Sequence, residues 1–487
     1  MTNHVLSNRL RASRLDVDRL PWWRIAIILG VLFLSAYLAR QPSLTYLAAI
    51  VGISAFLILL RLPQLGLISL VAGLFIPFSI GTGSQTPINT TLMLIPALLV
   101  IWLAEMIRQR KFQLAPSPTT LPLLALAASA TLSLLAGSMP WNLFASTAPI
   151  AAQAGGWAVF AFSVGTFFLM ANLVDDQRWL QIMTVFFLAI GGLYMAGRMG
   201  VPPLTALSAL MTDMRSDGSI FWVWLMALAA GQLLFNRKLS PITRVLLALL
   251  IAATFYIGFF RARDWASGWF PPLVAVGTIL CLRSWRATLL VAVVGVFLAL
   301  LISPHSVIGL LQQETSAESY SLLTRDVARD ILLEQVFPLS PIFGLGPANY
   351  YWYTPLYSIL GWYVKFNSHN NYVDILMQTG IVGLVCFFWV VGTIALLGWR
   401  LRKRFAGDFA QGYVYAGLGG LAGSLVAAWL GDWLLPFVYN IGLNGFRASI
   451  LAWLFLGGLV ALDRLSVEKA SAIGAPDLDS IPEMQDR

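Results

Sequence analysis

The chain has 487 residues, 58% of them hydrophobic and only 11% charged, with a mean hydropathy of +0.77 and a formal net charge of +9. A soluble domain carries about 25% charged residues, so this composition excludes soluble-enzyme folds and points to an integral membrane protein. In a soluble chain the positive balance would suggest nucleic acid. Here its position along the chain matters more, and no nucleic-acid partner is expected.

In chain order, Arg9, Arg11, Arg14, Arg19 and Arg24 lead into the apolar run Trp23–Ala39, with no small-residue cleavage site after it. This reads as a retained first helix rather than a cleaved signal. A helix needs about 20 mostly apolar residues to cross the hydrocarbon core. Runs of that kind follow at Ser43–Leu60, Leu65–Ile80, Thr91–Ile107, Leu121–Gly137, Gly155–Val174 and Leu180–Ala196. Seven more lie at Ile220–Phe235, Val245–Phe260, Trp269–Leu282, Ala287–Ile302, Tyr372–Trp399, Gly412–Leu430 and Ala448–Leu462. The expected fold is an all-α polytopic transmembrane helical bundle of about 12–14 spans with a partly helical periplasmic loop. Its divisions are a cytoplasmic N-terminal segment (1–22), transmembrane helices (23–302), the loop (303–368), C-terminal transmembrane helices (369–463) and a polar cytoplasmic tail (464–487).

With the N-terminus inside, alternation puts Arg108/Arg110/Lys111, Arg237/Lys238/Arg244, Arg283/Arg286 and Arg400/Arg402/Lys403/Arg404 on one side. About 22 of the 31 basic residues then lie inside, the positive-inside bias, and both termini are expected in the cytoplasm. The loop falls outside. Within it Leu323, Val327 and Ile331 repeat every four residues along a helical stretch, Ser319–Val336, and Arg325 and Arg329 form a second stripe. Such a helix suits the membrane surface, with its arginines turned toward a site.

Chemistry is sparse. Cys281 and Cys386 each sit inside an apolar run and read as packing residues. The histidines are His4, His305 and His369, and there is no HExxH, Walker-type or dinucleotide-binding motif. Asp16-Val17-Asp18 has the form of a DxD metal site, but it lies among arginines in the N-terminal segment and reads as a solvated stretch. No metal and no cofactor is expected. The exceptions to the positive-inside bias are Arg198, Arg215, Arg261, Arg263, Arg325, Arg329 and Lys365, at predicted outer helix ends where each alone is an interfacial anchor. Together they suggest an anion site, since guanidinium is permanently charged and forks onto phosphate oxygens. His369 opens the run His369-Asn370-Asn371-Tyr372 at the outer mouth of the longest apolar segment. It reads either as a helix-capping interfacial residue or as a general base suited to neutral pH.

The segment from His369 to Gly383, with His-Asn, nine residues, Gly380, two residues and Gly383, resembles the signature of the bacterial O-antigen ligase and polysaccharide polymerase superfamily. Pro341 to Tyr350 resembles that family's Pro-x-x-Gly-x-Gly-x-x-Asn-aromatic turn, with Arg325 upstream. Arg215 with Gly218 resembles its arginine segment before an earlier helix. Phe260 to Trp269 resembles its Ser-Arg-Gly-x-Trp segment, though the Ser-Arg-Gly itself is missing, so Arg261 and Arg263 both stay open for that role. The likeness covers about Arg215 to Trp399.

The resemblance implies a metal-independent, inverting glycosyltransferase of the bacterial inner membrane. Its donor would be a glycan on undecaprenyl diphosphate. Its acceptor would be a lipid A core in a ligase, or a second lipid-linked glycan in a polymerase. His369 would be the catalytic base, Arg215, Arg325 and Arg261 or Arg263 would bind the diphosphate, and Asn370, Gly344 and Gly346 would be positioning elements. Asp264 and Asp374 stay open as a second acid or as ion-pair partners. The competing class is a transporter or flippase that binds a lipid-linked sugar or an anion through the same arginines. Few charges lie near the centres of the runs, which favours chemistry at a surface over passage through the middle.

Overall fold

The computed structural model describes residues 58–474, except 77, 82–85, 113, 214–215, 263–264 and 303–315, together with Gly30 and Ser54. Most of the runs Trp23–Ala39 and Ser43–Leu60, the Asp16-Val17-Asp18 triplet, His4, His305, Arg215, Arg263 and Asp264 therefore lie outside the described residues. The chain forms two units, Met1–Leu62 and Pro63–Arg487. In the first, Ile58–Arg61 are helical. All that follows concerns the second.

It is built from helices α1 (Pro63–Ala72), α2 (Thr90–Arg108), α3 (Thr120–Ala136), α4 (Ile150–Leu173), α5 (Gln177–Arg198), α6 (Leu204–Asp213), α7 (Ser219–Phe235) and α8 (Pro241–Tyr256). After these come α9 (Ala266–Arg283), α10 (Trp285–Ile302), α11 (Ser316–Ile331), α12 (Tyr350–Tyr353), α13 (Asn371–Leu401), α14 (Phe409–Leu430) and α15 (Gly442–Gly474). Eight described helices are long and apolar enough to cross a membrane: α2, α4, α5, α8 with its π turn to Arg261, α9, α13, α14 and α15. The protein is a multi-pass membrane protein with an all-α bundle. The only strands among the described residues are the two-residue β1 (Ser79–Ile80) and β2 (Ile88–Asn89).

Helix starts follow the capping residues. Asp176, Ser240 and Asp408 accept the backbone N–H of Arg178 (2.8 Å), Thr243 (3.1 Å) and Gln411 (3.0 Å), which satisfies donors that a membrane interface leaves open. At the centre, α7 is buried along Ser219–Gln232. The neighbouring α14 can press against it because Gly420 faces the Trp224 ring and Gly423 faces Val223. Small residues at such contacts let backbones approach closely where no hydrophobic effect drives helix association.

Two expectations change, and one helix is longer than its run. The run Leu65–Ile80 is not one span: α1 ends in a 3-10 turn, Gly73–Phe75, and the chain then enters the β1/β2 hairpin. Pro77 disfavours helix at Ile76, which is extended (φ −91°, ψ 114°), and the carbonyls of Gly73, Ile76 and Phe78 accept from the buried guanidinium of Arg447 (3.2, 2.6 and 2.9 Å). The helix α15 outruns the apolar run Ala448–Leu462 and stays helical to Gly474. The longest run, Tyr372–Trp399, is broken.

The break is at Gly380 (φ 68°, ψ −169°). Its neighbours lose their ladder partners, and the turn Pro341–Asn349 supplies replacements. The N–H groups of Leu345 and Gly346 donate to the carbonyls of Met377 (2.9 Å) and Gln378 (3.1 Å), while Ile381 and Val382 donate to the carbonyls of Pro341 (2.9 Å) and Ile342 (3.3 Å). Ser133 of α3 adds its hydroxyl to the Gln378 carbonyl, and the Gln378 side chain accepts from the Ala348 N–H (3.1 Å). An unpaired backbone group at membrane depth costs several kcal/mol, so the turn and the break require each other. Gly344 sits at φ +70° with the Gln378 backbone 2.5 Å from where a Cβ would stand.

Charge is segregated along the bundle. Arg404 pairs with Asp463 (2.5 Å), Arg464 binds the Val174 carbonyl, Arg283 binds the Leu234 carbonyl (2.8 Å), and the Arg237 N–H binds the Gly407 carbonyl (3.1 Å). These contacts gather the basic clusters at one end. The opposite end holds the starts of α7, α13 and α15 and the ends of α5, α8 and α14.

Gly344→Ala should destabilise the protein by about 2–4 kcal/mol, from left-handed backbone strain plus overpacking. Gly392→Ala, where an added Cβ meets nothing within 4 Å, should be nearly neutral. Thermal unfolding of the two variants in one detergent checks this, and equal midpoints would contradict the interlocked break.

Candidate functional site

The start of α13 is fixed by three consecutive polar side chains. Asn370 caps it, accepting from Tyr372 N–H (2.9 Å) and Val373 N–H (3.3 Å), and donates to the Trp429 carbonyl (3.0 Å). Asn371 points the other way, donating to the Leu435 carbonyl (2.7 Å) and accepting from Leu434 N–H (2.9 Å) and Leu435 N–H (3.1 Å). The Tyr372 hydroxyl donates to the Leu425 carbonyl (2.8 Å). The helix start is thus bound to the end of α14 and to the loop 431–441 before α15.

His369 precedes this cap in a left-handed turn (φ 49°), an uncommon conformation for a non-glycine residue. Its N–H donates to the Asn367 side chain (3.1 Å), and the half-buried ring sets Nδ1 3.2 Å from Asn440 Nδ2. The same Asn440 nitrogen donates to Asp432 Oδ1. Asp432 Oδ2 accepts the N–H groups of Phe437 (2.8 Å) and Ile441 (3.4 Å), so the carboxylate folds the loop around itself. The result is a line from Asp432 through Asn440 to His369. With the Asn440 nitrogen donating to both neighbours, Nδ1 is an acceptor and the ring proton sits on Nε2.

Burial, and then the nearby charge of Arg325, push the His369 imidazole down to about 4, so it is neutral and unprotonated at pH 7. Burial pushes the Asp432 carboxyl up to about 6, against the hydrogen bonds it accepts. Tyr350 is buried beneath, stacked on Phe437 (4.6 Å), with its hydroxyl 2.5 Å from Asp374 Oδ1. Burial holds that hydroxyl well above its usual value, so it stays a donor. Asp374 also accepts from Ser368 (2.7 Å). Of the two roles open to it, the ionic one goes unused: its described partners are hydroxyls, and it braces the turn that carries His369.

Arg325 reaches the site from α11. The expected apolar face is seen, shifted by one residue: Ala328 and Ile331 are buried against Ile359, Val327 packs beside them, and Leu323 is exposed. The helix lies on its own loop, with Arg325 exposed and Arg329 paired to Asp326 (2.6 Å). Lys365 rests on the Trp352 ring at 3.1 Å and is committed there.

A second basic group lies at the same end. Arg198, at the end of α5, bonds the Tyr194 hydroxyl (3.2 Å) and stands 3.6 Å from Asp217, which also accepts from Tyr194 (2.6 Å). Arg261 closes the π turn after α8 and donates to the Arg198 carbonyl (3.2 Å). Gly218 packs directly on the Trp433 ring, and Trp265 meets the same ring at 5.6 Å. Gly218 and Trp265, from two separate segments, therefore converge on Trp433, the neighbour of Asp432. Gly344 and Gly346 sit behind the site, at the Gly380 break, and Asn349 joins their turn to the carbonyls of Gly137 (3.1 Å) and Leu345 (2.9 Å).

No protein-family model matches this chain, and no curated protein matches it. The geometry carries the functional reading. Sequence reasoning passed over Asp432, Trp433 and Asn440. The available signal was the short polar break Gly431-Asp432-Trp433 between two long apolar runs, at the same end as His369. Among the described residues no group of three or more His, Cys, Asp and Glu side chains is arranged to hold a metal ion.

Diethylpyrocarbonate acylates neutral imidazole, so His369 labelling followed by mass spectrometry should stay level from pH 7.5 to about 5.5 and fall with a midpoint of about 4. Arg325→Gln removes a cation that disfavours the imidazolium, so the midpoint should move up toward the unperturbed value of about 6.5. A wild-type midpoint already near 6.5 would refute the described environment.

Proposed function

We propose that the protein is a membrane glycosyltransferase that moves a glycan from a polyprenyl diphosphate, undecaprenyl diphosphate in a bacterium, to a sugar hydroxyl. The observation that carries this reading is one unprotonated, half-buried His369 under the influence of Arg325, with Arg198 and Arg261 at the same end of the bundle. We read that end as the outer, periplasmic face of the inner membrane, because the opposite end holds the basic clusters. The His-Asn motif of the O-antigen ligase and polymerase superfamily supports the same reading.

In this mechanism the acceptor hydroxyl oxygen attacks the anomeric carbon opposite the diphosphate. The C–O bond to the diphosphate breaks, its electron pair leaves with the phosphate oxygen, and the hydroxyl proton passes to His369, inverting the configuration. Charge grows on the diphosphate as the bond breaks. Arg325, Arg215 and Arg261 or Arg263 would stabilise it, in the role a divalent metal fills elsewhere. Base action through Nε2 requires the Nδ1–H tautomer, with the Asn440 carbonyl turned to the ring. That carbonyl then faces Asp432, which suits a protonated carboxyl able to donate to it. Asn370 and the Gly344/Gly346 turn hold the frame.

Transport is the weaker reading. Interrupted helices line cargo sites in carriers by exposing backbone groups, but the groups freed at Gly380 are occupied by the Pro341–Asn349 turn.

Transfer from a lipid-linked glycan in proteoliposomes should fall by about 10² or more in His369→Ala and by about 10²–10³ in Arg325→Ala, with chelators without effect. Asp432→Asn, which can still donate to Asn440, should retain at least about tenfold more activity than Asp432→Ala. Near wild-type transfer by both His369→Ala and Arg325→Ala would sink the proposal. Lipid-linked repeat units supplied alone separate the acceptors: a ladder of longer products indicates polymerisation, and transfer only after addition of a core lipid indicates ligation.

A further inference from the structure

Three side-chain oxygens meet beneath His369, and the transfer chemistry above uses none of them. Asp374 Oδ1 accepts from the Tyr350 hydroxyl (2.5 Å) and from the Ser368 hydroxyl (2.7 Å), and all three residues are buried. Asp374 Oδ2 is buried without a hydrogen-bond partner, and no cation is paired with the carboxyl among the described residues. The group therefore acts through one oxygen, on hydroxyls.

Ser368 is the link to the base. Its oxygen also accepts the Asn370 N–H (3.0 Å), which closes a small ring around His369, the residue between them. His369 is left-handed at φ 49°, and a residue other than glycine keeps that conformation only where its surroundings over-determine it. The ring stays closed while the Ser368 side chain keeps its rotamer. Its proton lies between two acceptors, the Asn370 carbonyl (2.8 Å), which already takes the Asp374 N–H (2.9 Å), and Asp374 Oδ1, the shorter contact. Tyr350 holds Asp374 in turn. It is stacked on Phe437 (4.6 Å) and directly follows Asn349, the end of the turn that fills the Gly380 break.

We propose that Asp374 and Tyr350 are positioning residues for His369: through Ser368 they hold the left-handed turn that aims the imidazole, with residue 374 serving as an acceptor oxygen and neither as an acid nor as a charge. The Asp432–Asn440 pair meets the ring, and the Tyr350–Asp374–Ser368 set fixes the backbone that carries it. Only the catalytic consequence rests on the glycosyl-transfer reading.

Two variants at one position separate the roles. Asp374→Asn keeps an acceptor oxygen and cannot give up an acid proton, whereas Asp374→Leu keeps neither. A misplaced base costs about 10² in rate, so kcat for transfer in proteoliposomes should fall by about that factor in Asp374→Leu, with KM for the lipid-linked donor nearly unchanged. Asp374→Asn should stay within about threefold of wild type. Ser368→Ala with Asp374→Leu should fall no further than the weaker single variant, because both act through one link, whereas independent effects would multiply. Carbethoxylation of His369, followed by mass spectrometry, gives a readout free of glycan transfer. Its midpoint, about 4 in wild type, should hold in Asp374→Asn. In Asp374→Leu and Ser368→Ala it should rise toward about 6.5 as the freed turn exposes the ring. Transfer by Asp374→Asn as low as by Asp374→Leu would make Asp374 an acid and overturn the positioning role. An unmoved midpoint in Asp374→Leu, or a multiplied loss in the double variant, would overturn it too. If Asp374→Leu does not fold, Ser368→Ala removes one hydroxyl and its midpoint decides. A chain that shows these midpoints and transfers no glycan would keep the positioning role and lose the proposed activity.

Discussion

Everything at the site end rests on backbone hydrogen bonds exchanged between the Pro341–Asn349 turn and the two halves of α13 around Gly380. A membrane offers an interrupted helix no water, so a break must find protein donors and acceptors or not exist. The turn supplies both and is held by Asn349, whose amide reaches the Gly137 and Leu345 carbonyls while its oxygen accepts the Ala148 N–H at 2.9 Å. Helix α3 joins through Ser133. One backbone irregularity thereby ties α3, the start of α4, the loop and α13 into a single frame, and His369 stands at its edge.

The second organising device is the Asp432 carboxylate. Buried charge is tolerable only where it is hydrogen-bonded, and Asp432 spends one oxygen on the loop N–H groups and the other on Asn440. Loop shape and the direction of the His369 ring are therefore linked through one side chain. Arg447 does comparable work at the end of α1, by closing carbonyls that would otherwise face the bilayer.

Much of this could be read from the sequence where burial alone decides. Apolar runs from Thr91–Ile107 to Gly412–Leu430 match helices to within about five residues, α15 outruns Ala448–Leu462 at both ends, α6 has no run of its own, and the basic clusters expected on one side lie at one end. His369 and Asn370 were recognisable from their place at the mouth of a long run. Hydropathy is blind to φ, so the run Tyr372–Trp399 concealed the break at Gly380, and the run Leu65–Ile80 concealed the stop after Phe75. The Asp432–Asn440–His369 line was hidden for another reason. It joins groups from separate segments, each of which alone looks like an interfacial polar residue. Arg215 and Arg263 lie outside the described residues, while Arg325 and Arg261 are found at the site end.

The break in α13 also separates two mechanical roles. The long half after Gly380 carries the apolar stretch that matches the hydrocarbon core. The short half, Asn371–Thr379, is fastened to the turn, to α14 and to the loop before α15. The aim of His369 is thus set by side chains and loops that lie to one side of the break, and the turn that bridges Gly380 is the one route by which the long half bears on it.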